Sequence, residues 1–313
     1  MRVLIAGATG VVGRKAVPLL ASQGHEVVAL SRRPAPSTDP GVRTVVVDAL
    51  DAAALANAVR QAQPDVVVHL LTAIPREINP RTMTKDFAMT NRLRSETTRV
   101  LVESARETGC SRVIGQSVAF AYDLEGARPE RASPATEDTP LFRSVAKQWR
   151  TSLEAVQALE KLTLGAEDGV VLRFGHLYGP GTAFTKDGST VAQIRGKKFR
   201  IGGKGTSVFS FTHTEDAAGA IAAALNHPTA TGVFNIVDDE PAPTGEWVPE
   251  LASILGAPTP SSVPEFMVRI FGGGWGHTYM TRLRGADNSR AKKNLDWQPA
   301  HPSWREGFRA ELA

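Results

Sequence analysis

The chain has 313 residues, of which 42% are hydrophobic, and a formal net charge of +4. This is enough apolar material for a large core, and no apolar run approaches the ~20 residues that a membrane-spanning helix needs. The single cysteine, Cys110, excludes an intrachain disulfide, and the N-terminus reads as a strand and not as a signal peptide, so we expect a cytoplasmic location. The densest basic cluster, at 195–198, is short and lacks interleaved aromatic residues, which argues against nucleic-acid binding.

A glycine-rich loop follows the first predicted strand and carries the clearest functional signal. The strand at 3–6 is apolar throughout, and glycines recur at every third position after it. Such a loop lets the backbone pass close to a pyrophosphate, and the helix predicted at 14–22 directs free N–H groups and its positive dipole end toward that anion. The alternative is a glycine-rich turn without a ligand. The residues predicted to contact a dinucleotide here are Gly7, Thr9, Gly10, Val11, Val12 and Gly13.

Strands and helices alternate along the first half of the chain. The sequence predicts strands at 3–6, 26–30, 44–47, 66–71, 112–114 and 169–174, and helices at 14–22, 52–62, 86–108 and 143–164. Strand–helix–strand units of about thirty residues require right-handed crossovers and a parallel sheet with helices on both faces. We therefore predict an α/β fold with a Rossmann-type doubly wound parallel sheet.

Beyond residue 175 the sequence becomes richer in glycine, proline and aromatic residues, and its periodicity becomes irregular. We expect a smaller, loop-rich C-terminal lobe that binds the substrate at the carboxyl edge of the sheet. The predicted nucleotide-binding domain is 1–174, to which 207–238 returns, and the predicted substrate lobe is 175–206 with 239–313. The glycine run at 272–274 follows no strand, so we expect a flexible lid or turn there.

Further motifs follow the glycine loop in a fixed order. They are V-D-A-L at 47–50, H-L-L-T at 69–72, Asn91, Q-S-V-A-F-A-Y at 116–122, L-R-F-G-H-L-Y-G-P-G at 172–181, F-T-H-T-E-D at 211–216 and V-F-N-I at 233–236. Over nearly the whole chain these motifs resemble the extended short-chain dehydrogenase/reductase family, whose members are often called NAD-dependent epimerase/dehydratases. The resemblance implies cofactor contacts from Asp48, Ala49, Leu70, Leu71, Thr72, Asn91 and Gln116. Asp48 has a second interpretation as a helix N-cap.

Two arginines end the second predicted strand, where an NAD-selective site would place a carboxylate against the ribose 2′-hydroxyl. Arg32 and Arg33 stand there instead, and no acidic residue follows until Asp39. Guanidinium groups match a 2′-phosphate, so the sequence favours NADP(H) over NAD(H). The alternative is an ordinary solvated basic turn.

The catalytic Tyr-x-x-x-Lys pair of the family has no counterpart. A spacing of four places both side chains on one helix face, where the lysine lowers the tyrosine pKa. The chain has three tyrosines, and none is followed four residues later by lysine. In the helix predicted at 143–164, aligning the glutamate of the family with Glu160 puts Val156 and Ser152 at the lysine and tyrosine positions. Aligning it with Glu154 puts arginine and alanine there, and both alignments stay open.

Other side chains near the predicted strand ends are therefore candidates for proton transfer. We name Ser117, Tyr122 and His176, and favour His176 because an unperturbed imidazole titrates near neutrality. Tyr178 and Arg173, from the motif at 172–181, are candidate substrate-binding residues. No histidine or cysteine spacing typical of a metal site occurs, so none is predicted.

These observations predict an NADP(H)-dependent oxidoreductase that acts on a small organic metabolite. The missing pair keeps two alternatives open. One is a non-redox isomerase, dehydratase or cyclase, and the other is a non-catalytic protein that senses NADP(H). The resemblance also implies a possible homodimer formed through the two long helices.

Overall fold

The computed structural model describes residues 1–35, 37–79 and 82–313. Its strands, in chain order, are β1 (Arg2–Ala6), β2 (Glu26–Ser31), β3 (Val42–Val46), β4 (Val66–His69), β5 (Arg112–Val118), β6 (Val170–Phe174), β7 (His176–Tyr178), β8 (Ile201–Gly202), β9 (Val208–Phe209), β10 (Phe211–His213), β11 (Gly232–Ile236), β12 (Ala242–Pro243) and β13 (Ser262–Val263). Seven of them form one parallel sheet in the order β11-β6-β5-β4-β1-β2-β3.

Helices cover both faces of this sheet, which confirms the predicted doubly wound fold. They are α1 (Gly13–Ser22), α2 (Ala52–Ala62), α3 (Met83–Asp86), α4 (Ala88–Arg92), α5 (Thr98–Glu107), α6 (Lys147–Leu164), α7 (Ser189–Arg195), α8 (Thr214–Asn226), α9 (Thr244–Ile254), α10 (Glu265–Thr281), α11 (Ser289–Leu295) and α12 (Trp304–Leu312). In the described part of the chain, no helix is both long and apolar enough to span a bilayer.

Strand β1 shows why its sequence is apolar throughout. Side chains of a strand alternate between the two faces of a sheet. Val3 and Ile5 pack into the core beneath α1 and α8, whereas Leu4 and Ala6 pack into the core beneath α2 and α5. All four are fully buried. The strand order reverses beside β1, between β1 and β4, and ligands of open α/β sheets bind at that switch point.

The helix predicted at 86–108 is interrupted in the structure. A short helix, α3, and a second one, α4, precede a π-helical turn at Leu93–Thr97, and α5 follows. The Leu93 carbonyl at the start of that turn accepts a hydrogen bond from the His69 ring at 3.2 Å. Periodicity along one segment could not show this, because the partner lies 24 residues away.

The glycine run predicted as a lid or turn lies inside helix α10. The helix bends at Gly273, whose φ of 67° falls in the left-handed region that favours glycine. Gly273 and Gly274 pack against the segment that begins α6, where a Cβ on Gly274 would lie 2.7 Å from the Cβ of Ala146. The glycines thus permit a close helix contact as well as a bend.

The C-terminal lobe is held by three two-stranded pairings and an aromatic core. The pairs are β7 with β10, β9 with β12 and β8 with β13. Its largest fully buried side chains include Trp247, Trp304, Phe211 and Phe308. Strand β11 returns to the central sheet beside β6. Val118, the last residue of β5, belongs to the same aromatic core.

Candidate functional site

In the glycine loop, two glycines have no room for a side chain and a third has open space above it. A Cβ on Gly7, whose φ is 98°, would lie 2.8 Å from the carbonyl carbon of Leu70, and one on Gly13 would lie 2.3 Å from the Gly7 oxygen. A Cβ on Gly10 would meet only the Gly7 oxygen, at 3.1 Å. No side chain caps the start of α1. The open space above Gly10 and the uncapped N–H groups fit a pyrophosphate.

The two arginines after β2 are available to a ligand. Arg32 and Arg33 are exposed, and neither guanidinium has a hydrogen-bond or ion-pair partner among the described residues. The Arg33 backbone N–H donates to the Ser31 hydroxyl at 3.3 Å, which fixes the turn that carries both arginines. Two unpartnered cations thus stand where the 2′ position of the adenine ribose is expected.

The sequence left two roles open for Asp48, a cofactor contact and a helix N-cap. In the structure, Asp51 takes the N-cap role. Asp51 is the N-cap of α2, and its carboxylate accepts the Ala54 N–H at 3.0 Å. The exposed Asp48 carboxylate accepts the Leu50 N–H at 3.0 Å and does not cap the helix. Asp48 and the buried Ala49 therefore stand at the end of β3, on the sheet edge predicted for the adenine.

The His69 ring joins the end of β4 to the π-helical turn. Its Nε2–H donates to the Leu93 carbonyl, and its Nδ1 accepts the Leu71 N–H at 3.3 Å. Burial lowers the pKa of His69 to about 4, so the ring is neutral. His69 is therefore a neutral core histidine. Leu70 is buried and Thr72 exposed, so the segment 70–72 leaves the core along the predicted cofactor path.

Asn91 and Gln116 flank the same edge. The Asn91 amide donates to the Thr151 hydroxyl at 3.4 Å, while its Oδ1 is buried without a hydrogen-bond partner. Gln116 is half-buried near the end of β5. The structure thus brings the predicted cofactor residues together along the carboxyl ends of β1, β4 and β5, although their contacts with a cofactor stay a prediction.

Three predicted site residues belong instead to a buried structural network. Glu160 accepts hydrogen bonds from the Ser117 hydroxyl at 2.6 Å and from Arg173 at 2.7 and 2.8 Å. Arg173 also donates to the Tyr122 oxygen at 2.8 Å, and the Tyr122 hydroxyl donates to Asn235 Oδ1 at 2.5 Å. All five side chains are buried. The expected catalytic and substrate-binding roles of Ser117, Tyr122 and Arg173 therefore lack an accessible surface.

Burial also makes Tyr122 a poor proton carrier, since it raises the pKa of the phenol to about 12. The same network orients helix α6, because Glu160 must face the sheet. Val156 and Ser152, four and eight residues earlier, are fully buried on that helix. Neither position supplies the tyrosine or the lysine that the family uses.

His176 lies in a cluster of rings between the sheet and the C-terminal lobe. Its ring stacks on Phe209 at 4.0 Å and on Phe120 at 5.0 Å between centroids, and Tyr279 meets it edge-on at 5.5 Å. The Nδ1–H donates to the Ser210 carbonyl at 3.2 Å, and Nε2 is buried without a partner. Burial lowers the pKa of His176 to about 3. The pKa near neutrality on which its predicted acid–base role depended is therefore wrong.

Tyr178 is fully buried, and its hydroxyl has no partner among the described residues. Its ring meets Phe308 and His213 edge-on, at 5.2 and 5.0 Å. The side chain packs α12 against β7 and has no surface to offer a substrate. The predicted substrate-binding role of Tyr178 stays a prediction, although the aromatic core of the lobe encloses the side chain.

One group of potential metal ligands lies apart from this edge. His213, Asp216 and His301 each bring one ligand atom within 4.8 Å of the others. These atoms already have partners, because His213 Nδ1 accepts the Glu215 N–H and the Asp216 oxygens accept the N–H groups of Ala300 and His301. The group ties α8 to the segment before α12. The expectation of no metal site stays a prediction.

The two neutral buried histidines predict acid sensitivity. The folded pKa values of His69 and His176 lie below that of an unfolded histidine, about 6.5. As the pH falls through that value, His69 and His176 become protonated in the unfolded chain but stay neutral in the folded chain. The free energy of unfolding should therefore fall by up to about 1.4 kcal/mol per pH unit for each histidine.

Urea denaturation at several pH values between neutral and mildly acid measures this slope. His69→Gln and His176→Gln should each make it shallower, and the stability of the wild-type protein should be insensitive to these two groups above their unfolded pKa. Unchanged slopes in both variants would contradict the assignment of neutral rings.

Comparison with known proteins points to one family. A profile of the NAD dependent epimerase/dehydratase family matches residues 3–237. The chain is 44% identical over 319 aligned positions to a 3-diazoavenalumate denitrifying reductase from Streptomyces sp, covering 99% of this chain and 100% of that one. It is 27% identical to the 2'-dehydrokanamycin reductase of Streptomyces kanamyceticus, covering 84% of this chain and 70% of that one.

Solved structures share the fold across the whole chain. The human epimerase family protein SDR39U1 with NADPH superposes with a TM-score of 0.74 at 22% identity, covering 100% of this chain and 99% of that one. MoeE5 in complex with UDP-glucuronic acid and NAD gives 0.73 at 25% identity, covering 100% and 98%. One of these two structures therefore contains NADPH, and the other contains NAD.

Proposed function

This chain belongs to the NAD-dependent epimerase/dehydratase family, and we propose that within it the protein is an NADPH-dependent reductase of an aromatic diazo compound that bears a carboxylate. It is an enzyme that uses a nicotinamide dinucleotide. The observation that carries the finer proposal is that the chain lacks the Tyr-x-x-x-Lys pair of the family, while the candidates Ser117 and Tyr122 are enclosed by burial. A reductase related across its full length is named for a diazo acid.

The residues of the glycine loop would hold the pyrophosphate, and Arg32 with Arg33 would hold a 2′-phosphate. When bound, the nicotinamide supplies a hydride. The role of this chain is to fix the dinucleotide along the carboxyl ends of β1, β4 and β5 and to exclude water from the reacting faces. The rings packed around His176 would exclude water.

We predict that NADPH binds more tightly than NADH. Hydrogen bonds to a charged group are worth about 1.5–3 kcal/mol, or about ten- to a hundredfold in affinity. In the double variant Arg32→Ala/Arg33→Ala, NADPH affinity should fall by this factor while NADH affinity stays unchanged. Calorimetric titration measures both.

Arg99→Ala is the matched control, since Arg99 is an exposed arginine of α5. It should leave both affinities as they are. Equal affinity of the wild-type protein for NADPH and NADH would contradict the assignment of Arg32 and Arg33 to the 2′-phosphate.

The proposed substrate is planar and aromatic because rings from four elements meet beyond the sheet edge. Phe120 follows β5, His176 begins β7, Trp149 lies in α6 and Tyr279 in α10. Phe120 lies 6.2 Å from both Trp149 and Tyr279 between centroids. Phe120 and Tyr279 are only half-buried, so they border open space. Aromatic side chains bind flat rings by stacked and edge-to-face contacts.

A diazonium ion suits a site without an acid–base pair. Reduction of a ketone needs a proton for the new alkoxide as well as a hydride. An aryl diazonium cation needs only the hydride. The bond from the ring carbon to nitrogen breaks, dinitrogen leaves, and the products are the neutral arene and the oxidised dinucleotide, with charge balanced. The buried network encloses Ser117, Tyr122 and Arg173, so we expect none of them to donate a proton to the substrate. The diazonium reaction needs no such proton.

The test uses NADPH and the diazonium salt of an aromatic carboxylic acid. We expect loss of nicotinamide absorbance, with one dinitrogen released and one arene formed per NADPH consumed. A Gly10→Val protein corrects for reaction in free solution. A panel of ketones and aldehydes should not be reduced.

The outcomes separate the remaining alternatives. Reduction of a ketone but not of the diazonium ion would overturn the substrate proposal. Conversion of a metabolite without net nicotinamide oxidation would favour an isomerase, dehydratase or cyclase. Tight NADPH binding with no turnover of any compound would favour a sensor.

A further inference from the structure

A buried arginine without a partner lies in the π-helical turn. Arg94 is 4% exposed. Its Nε is fully enclosed and has no hydrogen-bond partner, and the two terminal nitrogens make no hydrogen bond to any described residue. A buried cation is costly unless it is paired. Burial accordingly lowers the pKa of Arg94 to about 10, although the guanidinium stays charged.

No described neighbour accepts a hydrogen bond from the Arg94 guanidinium. Glu160 is the carboxylate whose charge acts on Arg94, but both its oxygens are bonded to Arg173 and one also to Ser117. His69, a second neighbour, is neutral and bonded through both ring nitrogens. The guanidinium therefore has a nearby negative charge but no hydrogen-bond acceptor among the described residues.

The position of the turn indicates which ligand could supply that acceptor. The residue after β2 meets the adenine ribose in dinucleotide-binding sheets, so the nicotinamide half passes over the opposite side of the switch point, toward β4 and β5. The π-helical turn is bonded to the end of β4 through His69. Asn91, one turn earlier, reaches α6 through Thr151. π-Helical turns inside helices occur frequently at functional sites.

We propose that Arg94, on the helix beside α6, donates hydrogen bonds to oxygen atoms of the nicotinamide half of the dinucleotide. This inference rests on dinucleotide binding and is independent of the diazo substrate. It makes Arg94 a cofactor-positioning residue.

The test measures binding and stability separately in Arg94→Met and Arg94→Lys. Methionine keeps an apolar stem and removes the unpaired charge. We expect the melting temperature of the cofactor-free protein to stay or rise and the affinities for NADPH and NADH to fall by the same factor, about ten- to a hundredfold. Lysine should restore part of the affinity. Binding of adenosine 2′,5′-bisphosphate, which lacks the nicotinamide half, should not change.

Arg112→Met is the matched control. Arg112 is also buried, but it donates to the carbonyls of Pro228, Ala224, His227 and Ala230. Its loss should lower the melting temperature and leave NADPH affinity intact.

Wild-type NADPH affinity in Arg94→Met would overturn the inference. So would an equal loss for adenosine 2′,5′-bisphosphate, because that would reveal a general structural defect. Failure of the diazo assay with these binding results intact would overturn only the proposed substrate. Absence of dinucleotide binding in the wild-type protein would overturn both proposals.

Discussion

Replacing Gly10 by valine should abolish NADPH binding in a protein that still folds. A Cβ at this position meets only the Gly7 oxygen, at 3.1 Å, so the loop needs to yield by only a few tenths of an ångström. The remaining methyl groups would occupy the space that the pyrophosphate needs. We expect no saturable binding in calorimetry at concentrations that saturate the wild type, together with an unchanged circular dichroism spectrum.

Gly13→Ala separates this effect from damage to the loop. A Cβ there would lie 2.3 Å from the Gly7 oxygen and 2.6 Å from the Ala8 oxygen, and both are backbone atoms that cannot move aside cheaply. We expect that variant to lose stability outright. A folded Gly10→Val protein with wild-type NADPH affinity would show that the loop does not cradle a phosphate.

Replacing Arg173 by methionine should destabilise the protein by about 3–5 kcal/mol, because it leaves the Glu160 carboxylate buried without its cation. The side chains of this pair are 6% and 8% exposed, and their closest contact is 2.7 Å. Adding Glu160→Leu should recover part of the loss, since the carboxylate left without its Arg173 partner is then removed. Urea denaturation followed by tryptophan fluorescence measures the free energy of unfolding of each variant.

The exposed pair Arg92–Glu96 on the same side of the fold is the matched control. Its contact is 2.9 Å, but its side chains are 51% and 55% exposed. Exposed pairs contribute little to stability. Arg92→Ala should therefore leave the denaturation midpoint where it is. Equal effects of Arg92→Ala and Arg173→Met would contradict the account of the buried network.

The sheet was predictable because local sequence encodes it. Each strand of the first half is an apolar run between turn signals, and the strands found differ from those predicted mainly at their ends. Strand β5 is the largest difference, since it extends to Val118 where 112–114 was predicted. Its polar residues Gln116 and Ser117 obscured the pattern, and the buried Ser117 hydroxyl donates a hydrogen bond to Glu160.

The site was less predictable because its chemistry depends on partners distant in sequence. Arg173 and Tyr122 are 51 residues apart, and Tyr122 and Asn235 are 113 apart. A motif shows that such residues occur but not whether they face a ligand or one another. The sequence does not single out Arg94, because a charged residue in a predicted helix is usually solvated. Only the three-dimensional structure shows that this side chain is enclosed.

His176 illustrates the same limit in its titration. The reference pKa of histidine suggested a proton donor, but stacking between Phe120 and Phe209 removes water from the ring. Desolvation disfavours the charged form. A residue chosen for its unperturbed pKa is thus a neutral, buried ring whose Nε2 has no hydrogen-bond partner among the described residues.

The reaction that we propose is the transfer of a hydride from the dinucleotide to the substrate. Its most direct test is a single turnover with NADPH that carries deuterium at the transferable position of the nicotinamide, mixed with excess protein and the diazonium salt of an aromatic carboxylic acid. We expect deuterium-free NADP+ and one equivalent each of dinitrogen and arene. Recovery of labelled NADPH beside unreacted diazonium ion, from protein that binds both, would contradict it.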